Sequence, residues 1–158
     1  TLSLVSLSPL IARVVQLETR VAVRMLPSDE VTLWLDADQM QQALINLLKN
    51  AAEAALGPDT THHGCPHVEI GWRTNAQEIV ITIVDNGPGL TNQSNLFVPF
   101  YTTKPNGTGI GLVLAQQIAQ GHRGSIELRN RDDGQSGCRA ELRLPVLSPG
   151  SQSPLTSD

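Results

Sequence analysis

The chain has 158 residues, within the ~100–200 usual for one domain, and its 40% apolar content with 13 glycines suffices for one core, which excludes disorder along its whole length. Lys and Arg number 11 against 15 Asp and Glu, a formal net charge of −4. That leaves no cationic excess for a polyphosphate backbone and, with few aromatics, no stacking platform for single strands, so nucleic acid is not an expected partner.

No apolar run approaches the ~18 residues that span a bilayer, and residues 1–7 lack the positive segment that opens a signal peptide. The expectation is a cytoplasmic domain without membrane contact of its own, although a parent protein can be membrane-anchored. Cys65 and Cys138 lie far apart with no CxxC spacing, which fits two reduced structural thiols better than a zinc or redox pair.

In chain order, residues 9–19 carry Leu10, Ile11, Val14, Val15 and Leu17 at helical spacing, with Pro9 suited to a first turn. Two strand-like runs follow, 20–26 and 31–35, separated by the turn signal Pro27-Ser28-Asp29, and read as a hairpin. Asp36 is a good N-cap for the longest periodic element, in which Met40, Ala43, Leu44, Leu47, Leu48 and Ala51 form one apolar stripe until Gly57-Pro58 stops the helix. Residues 67–73 and 78–84 read as strands. A long irregular stretch, 85–109, leads into a helix over 110–120 and two more strands at 125–129 and 138–146. Helices and strands alternate without regular βα repetition, so the expected fold is an α+β two-layer sandwich with a mixed sheet over residues 1–147. The Ser/Pro/Gly-rich tail, 148–158, is expected to be flexible.

Four sites need a chemical account. Asn46 and Asn50 share one flank of the long helix; such amides usually make ordinary packing bonds, but an Asn oxygen can also ligate a hard cation such as Mg²⁺. Asp85-Asn86-Gly87-Pro88-Gly89 follows a buried strand. A tight turn explains its glycines but not an acid there, which suits a charge-assisted bond from an exocyclic amine such as that of adenine. Residues 96–104, from Leu96 to Lys104, hold Phe97, Phe100 and Tyr101 in a connection long enough for a lid, or for a small apolar cluster that pins a loop. Gly107-Thr108-Gly109-Ile110-Gly111-Leu112 opens the last helix, where free backbone amides attract anions. Its spacing is neither a dinucleotide fingerprint nor a Walker loop. Lys104 stands close enough in sequence to add a point charge on a phosphate.

Taken together, the four motifs resemble the GHKL ATP-binding domains, and within them the catalytic domain of sensor histidine kinases. Asn46-Leu47-Leu48-Lys49-Asn50-Ala51 is similar to the family's N box, the Asp85–Gly89 segment to its first glycine box, residues 97–104 to its F box, and Gly107 to Leu112 to its second glycine box. The phrases Asn50-Ala51-Ala52-Glu53-Ala54 and Pro99-Phe100-Tyr101-Thr102-Thr103-Lys104 are most similar to the nitrogen-regulation branch. The resemblance covers roughly residues 20–146 and implies a Bergerat fold using ATP and Mg²⁺. Asp85 then bonds the adenine amine, with Gly87 and Gly89 in its glycine turn; Asn50 holds Mg²⁺ and Asn46 lies near the triphosphate. Lys104, Gly107, Thr108, Gly109, Gly111 and Leu112 form the phosphate cradle and lid.

Hydrolytic relatives, the gyrase, MutL and heat-shock clamps, and the anti-sigma serine kinases carry a glutamate base where this chain has Asn46. An amide takes no proton, so the resemblance favours transfer to an external imidazole, on a histidine-bearing dimerisation domain of the same parent, with a response regulator downstream. A hydrolytic ATPase and a non-catalytic nucleotide sensor are the alternatives. His62, His63, Cys65 and His67 are close enough to suggest a metal cluster, against which stands their Gly/Pro-rich loop. His122 reads as a C-terminal helix cap.

Overall fold

The computed structural model describes residues 2–56, 66–87 and 110–146. Strand β1, Ser3–Ser6, runs directly into helix α1, Leu7–Leu17; β2, Ala22–Met25, and β3, Thr32–Leu35, precede the long helix α2, Ala37–Ala55. Strands β4, His67–Thr74, and β5, Glu78–Asp85, are followed by α3, Ile110–Gly121, then β6, Ser125–Asn130, and β7, Cys138–Pro145.

The sheet has five strands in the order β2-β4-β5-β7-β6. β2 runs parallel to β4 and every other neighbour is antiparallel, so the expected mixed sheet is the one observed. Strict alternation separates its faces. Ile70, Ile79, Ile81, Ile83, Ala140, Leu142 and Leu144 point inward, and the helices close over them with Leu10, Ile11 and Val14 from α1, Met40, Leu44, Leu47 and Leu48 from α2, and Ala115, Ile118 and Ala119 from α3. Each buried helical set recurs at three- and four-residue steps, as a helix lying on a sheet requires. Asp36 caps α2 as expected, its Oδ1 accepting from the Gln39 amide at 3.0 Å.

Two expectations need correction. Residues 20–26 and 31–35 do form strands, but not a hairpin: β2 pairs with β4, and β3 pairs antiparallel with β1 in a separate two-stranded sheet. The connecting residues are held elsewhere. The Leu26 amide continues the pairing onto the Ile70 carbonyl at 2.8 Å. Ser28 Oγ accepts from the Trp72 amide at 3.2 Å, and the Trp72 indole donates to the Asp29 carbonyl at 2.6 Å. Residues 26–29 are thereby fastened along β4, and only then does the chain leave for β1. The second correction is α1, which begins at Leu7 rather than Pro9 because Leu7, 0% exposed, already belongs to its buried stripe.

His122 closes α3 as expected. The Gly124 amide bonds the Ala119 carbonyl and the Arg123 amide the Gln120 carbonyl, at 2.7 and 2.9 Å, a Schellman closure with Arg123 left-handed at φ 64°. The imidazole adds a tertiary link: Nδ1 lies 2.9 Å from the Ile118 carbonyl while Nε2 accepts from the Asp36 amide at 3.0 Å. These partners assign the proton to Nδ1. The end of α3 is thus tied to the start of α2.

The solvent face of the sheet carries one buried acid. Glu141, 1% exposed, accepts from Arg129 at 3.2 Å, Arg139 at 3.1 Å and Arg143 at 2.8 Å. Burial alone would raise its carboxyl, but the Arg139 hydrogen bond and the charges of Arg129 and Arg143 outweigh that and hold it below its ordinary 4.5. A depressed folded value means stability fully present above the unfolded value and lost as pH falls through the folded one. Glu141→Gln is expected to cost about 1.5–3 kcal/mol at pH 7. Urea melts at descending pH should show the gap to the parent closing below pH 4.5.

Candidate functional site

The strongest convergence of sequence-predicted residues lies where β5 ends beside the last turns of α2. Asp85 is the final residue of β5 and is 2% exposed. Its Oδ1 accepts from the Gly87 amide at 2.9 Å and from the Cys138 amide at 3.2 Å. Two backbone donors on one oxygen fix the plane of the carboxylate and offset the cost of burying a charge.

Gly87 must lack a side chain here. A β-carbon on it would stand 2.5 Å from the Ala54 carbonyl oxygen and 3.2 Å from the Ala54 β-carbon. Asn86, 5% exposed, faces the other way and accepts from the His67 amide at 3.0 Å through Oδ1. Ala54 in turn lies one helical step beyond Asn50, and Asn50 one beyond Asn46, so all three share a flank of α2. Both asparagines are half-buried, and Asn46 Oδ1 accepts from Gln42 Nε2 at 3.1 Å. The turn after β5 and the Asn46–Asn50 flank are therefore brought together through Ala54.

Helix α3 enters from the opposite direction. Its C-terminus is tied to Asp36 through His122 and it packs along α2, so its start runs back towards Asn46 and Asn50. Gly111 is the second residue of that start, and Leu112 packs half-buried against the core. Gly89, Lys104, Gly107, Thr108 and Gly109 lie outside the described residues, as do residues 91–106 of the expected lid. His62, His63 and Cys65 lie outside them too, whereas His67 begins β4 with its side chain exposed. Among the described residues no cluster of three or more His, Cys, Asp or Glu could hold a metal.

A third contribution was not read from the sequence. The β6–β7 loop, residues 131–137, lies against the Asp85 turn: Arg131 Nη1 donates to the Asp85 carbonyl at 3.1 Å and Ser136 Oγ to the Gly87 carbonyl at 2.5 Å. Gly137, at φ 142°, brings its backbone so close that a β-carbon would overlap the Asp85 carbonyl oxygen. The hydrogen bond from Arg131 holds the exposed Asp133 carboxyl below its ordinary range. The one available signal was glycine density, Gly134 and Gly137 in a short loop before a strand.

The comparisons with known proteins bear on the family and the fold. A family model described as "Histidine kinase-, DNA gyrase B-, and HSP90-like ATPase" matches residues 35–148. The nitrogen regulation protein NtrY of Azorhizobium caulinodans is 38% identical over 119 residues, 73% of this chain and 15% of NtrY. Sporulation kinase B of Bacillus subtilis is 34% identical over 122 residues, 76% of this chain and 27% of that kinase. Among solved structures, the ATP-binding domain of PrrB from Mycobacterium tuberculosis superposes with a TM-score of 0.71 at 25% identity, covering 93% of this chain and 98% of that one. The catalytic domain of the histidine kinase ThkA shares the fold, with a TM-score of 0.76 at 24% identity over 92% of this chain and 96% of that one.

The chain belongs to the histidine kinase-, DNA gyrase B- and HSP90-like ATPases. Its relatives within that family are sensor kinases, nitrogen-regulation proteins among them. It spans only 15% and 27% of the two curated relatives described. Among the described residues no helix is long and apolar enough to cross a membrane.

The packing of Gly87 on Ala54 can be tested directly. Gly87→Ala is expected to lose about 1–3 kcal/mol from overpacking against a backbone carbonyl. Gly121→Ala is the control, since its β-carbon meets nothing within 4 Å. Urea denaturation should separate the two variants.

Proposed function

We propose that this domain binds Mg-ATP between the Asp85 turn, the Asn46–Asn50 flank of α2 and the start of α3, and donates the γ-phosphoryl group to a histidine on a dimerisation domain of the same parent. The single observation that carries the reading is the buried Asp85 carboxylate, oriented by two backbone amides at the end of β5. A carboxylate so held is a directional acceptor, suited to the two-donor amine of adenine and unsuited to the carbonyl that guanine presents at the same ring position.

The donor set around it fits the rest of the nucleotide. Asn50 offers a neutral amide oxygen, the kind of ligand Mg²⁺ accepts when phosphates and waters supply the remaining positions. A Mg²⁺ ion held by Asn50 would supply positive charge beside the phosphates. Asn46 is held by Gln42 and positions phosphate oxygens without acting as a base. On the sequence resemblance, Gly107, Thr108, Gly109 and Gly111 are the candidates to offer backbone amides to the phosphates, and Lys104 to add a point charge. In the transfer, the neutral imidazole attacks phosphorus with its nitrogen lone pair, the bond to the ADP leaving oxygen breaks, and the imidazole sheds its ring proton to solvent.

The whole parent is then a homodimer passing phosphate to a response regulator, its catalytic domains in the cytoplasm. The names of the relatives support this reading, being those of sensor kinases that include nitrogen-regulation proteins.

Asp85→Asn removes a charge-assisted bond of about 1.5–3 kcal/mol, roughly ten- to a hundredfold in ATP affinity. Calorimetry should show ATP bound more tightly than GTP by the parent and by a smaller margin in the variant; equal affinities in the parent would sink the adenine assignment. With γ-labelled ATP, the chain alone is expected to turn over little, because no carboxylate base stands at Asn46 and no acceptor is docked in line. Acid-labile, base-stable label should appear on an added dimerisation domain. Rapid phosphate release without that domain would instead support the hydrolytic alternative.

A further inference from the structure

The sheet register ends at different residues on the two sides of the Asp85 turn. On the β4 side, Asp85 still pairs with Val68. On the β7 side, pairing ends one residue earlier, at Val84 opposite Arg139. Just beyond that pair, the β6–β7 loop places side-chain donors on main-chain carbonyls 85 and 87.

Its geometry is specific. The Arg131 guanidinium, with a side chain only 13% exposed, spends its donors in two directions: Nη1 on the Asp85 carbonyl at 3.1 Å, Nε and Nη2 on the Asp133 carboxylate at 3.2 and 2.7 Å. Asp133 is itself fixed by the Gln135 amide at 3.2 Å. The Arg131 amide bonds the Gly137 carbonyl at 3.1 Å and so closes the loop on itself. At the far end Ser136 Oγ reaches the Gly87 carbonyl, and the next two residues bring the Cys138 amide onto Asp85 Oδ1. A lysine in place of Arg131 could hold one of its two partners as a point charge but not both in one plane.

We infer that Arg131 and Ser136 are positioning residues for base recognition: they fasten the Asp85–Gly87 main chain so that the Asp85 carboxylate presents one fixed orientation to the nucleotide. Neither touches the base. The inference rests on the proposed role of Asp85 as the acceptor of the adenine amine. Recognition constellations lose function when displaced by more than ~0.5 Å or 10–20°, and a turn released on its β7 side can move by that amount while the sheet stays intact. The cost then falls on the interaction that depends on carboxylate direction and spares those made by the phosphates.

The test compares ATP with inosine triphosphate, which keeps the ribose and phosphates but carries a carbonyl where adenine has its amine. Affinities for both are measured on the parent chain and on Arg131→Ala, Arg131→Lys, Ser136→Ala, Ser136→Thr and Asp85→Asn, with a thermal melt of each. Arg131→Ala and Ser136→Ala are expected to weaken ATP binding by about fivefold to thirtyfold, within the range of one lost hydrogen bond to a charged or well-aligned partner. Inosine triphosphate should change less than about twofold, so the ratio between the two nucleotides falls. Ser136→Thr, which keeps the hydroxyl, should restore the ratio, and Arg131→Lys should restore it only in part. A merely structural role would lower both affinities together or shift only the melt. If Asp85→Asn collapses the ratio while the Arg131 and Ser136 variants leave it intact, the inference is overturned and the adenine reading stands. An unchanged ratio in Asp85→Asn removes the adenine reading and the inference with it. Should Arg131→Ala fail to fold, the Ser136 pair decides the question alone.

Discussion

A buried carboxylate at the end of a strand constrains everything near it. Asp85 is 2% exposed, and a charge so placed is tolerated only where donors are already aimed at it. One donor comes from its own chain two residues on, which requires a tight turn and brings Gly87 against the carbonyl of Ala54. The other comes from Cys138, which requires β7 to begin beside the end of β5. The close approach of Gly137 to the Asp85 carbonyl follows from that second requirement, and with it the left-handed backbone that a side chain would strain. Three elements distant in sequence thus meet because a single acid needs two amides.

Helix α2 carries the consequences inward. Its buried stripe from Met40 to Ala55 fixes its rotation over the sheet, and that rotation decides where the adjacent flank points. Asn46, Asn50 and Ala54 follow one another on that flank at four-residue steps, so the contact of Ala54 with Gly87 brings the asparagines to the Asp85 turn without any loop having to reach for them. The opposite end of the helix is fixed separately. Asp36 bonds Gln39 through its side chain and His122 through its amide, which anchors α3 at its C-terminus and leaves its N-terminus directed towards the asparagines. The imidazole can accept that amide only when Nε2 is unprotonated.

Much of this was legible in the sequence, because the signals were local. The cap at Asp36 and the stripe of α2 depend on spacings of three and four residues, and the continuous apolar run of β5 on its burial between two neighbours. The order of the four motifs identified the family. What was not legible depends on partners distant along the chain. Alternation marks residues 20–26 and 31–35 as strand-like but says nothing of which strand each will join. The outcome turned on Ser28 and Trp72, a hydroxyl and an indole that capture residues 26–29 along β4. The loop at Arg131–Gly137 escaped for the same reason. An arginine and a serine in a short polar connection look like solvated surface, and only the tertiary approach of the β6–β7 loop sets them on the Asp85 and Gly87 carbonyls.

The chemistry the site can perform follows from what its side chains can and cannot do with a proton. In the proposed pocket Asn46 carries an amide where the sequence resemblance implies a carboxylate in hydrolytic members, and its oxygen is already an acceptor for Gln42. An amide so engaged can orient a phosphate, but it cannot take a proton from water or from a hydroxyl nucleophile near neutral pH. Such nucleophiles are poor while protonated, whereas a neutral imidazole carries its lone pair ready. On the proposed reading, an amide at Asn46 favours an acceptor that is already basic. The domain then contributes a bound, oriented electrophile, and the rate of transfer is set by how often the acceptor is held in line with it. Under that reading, a phosphoryl donor of this kind is governed by the geometry of the protein that carries it.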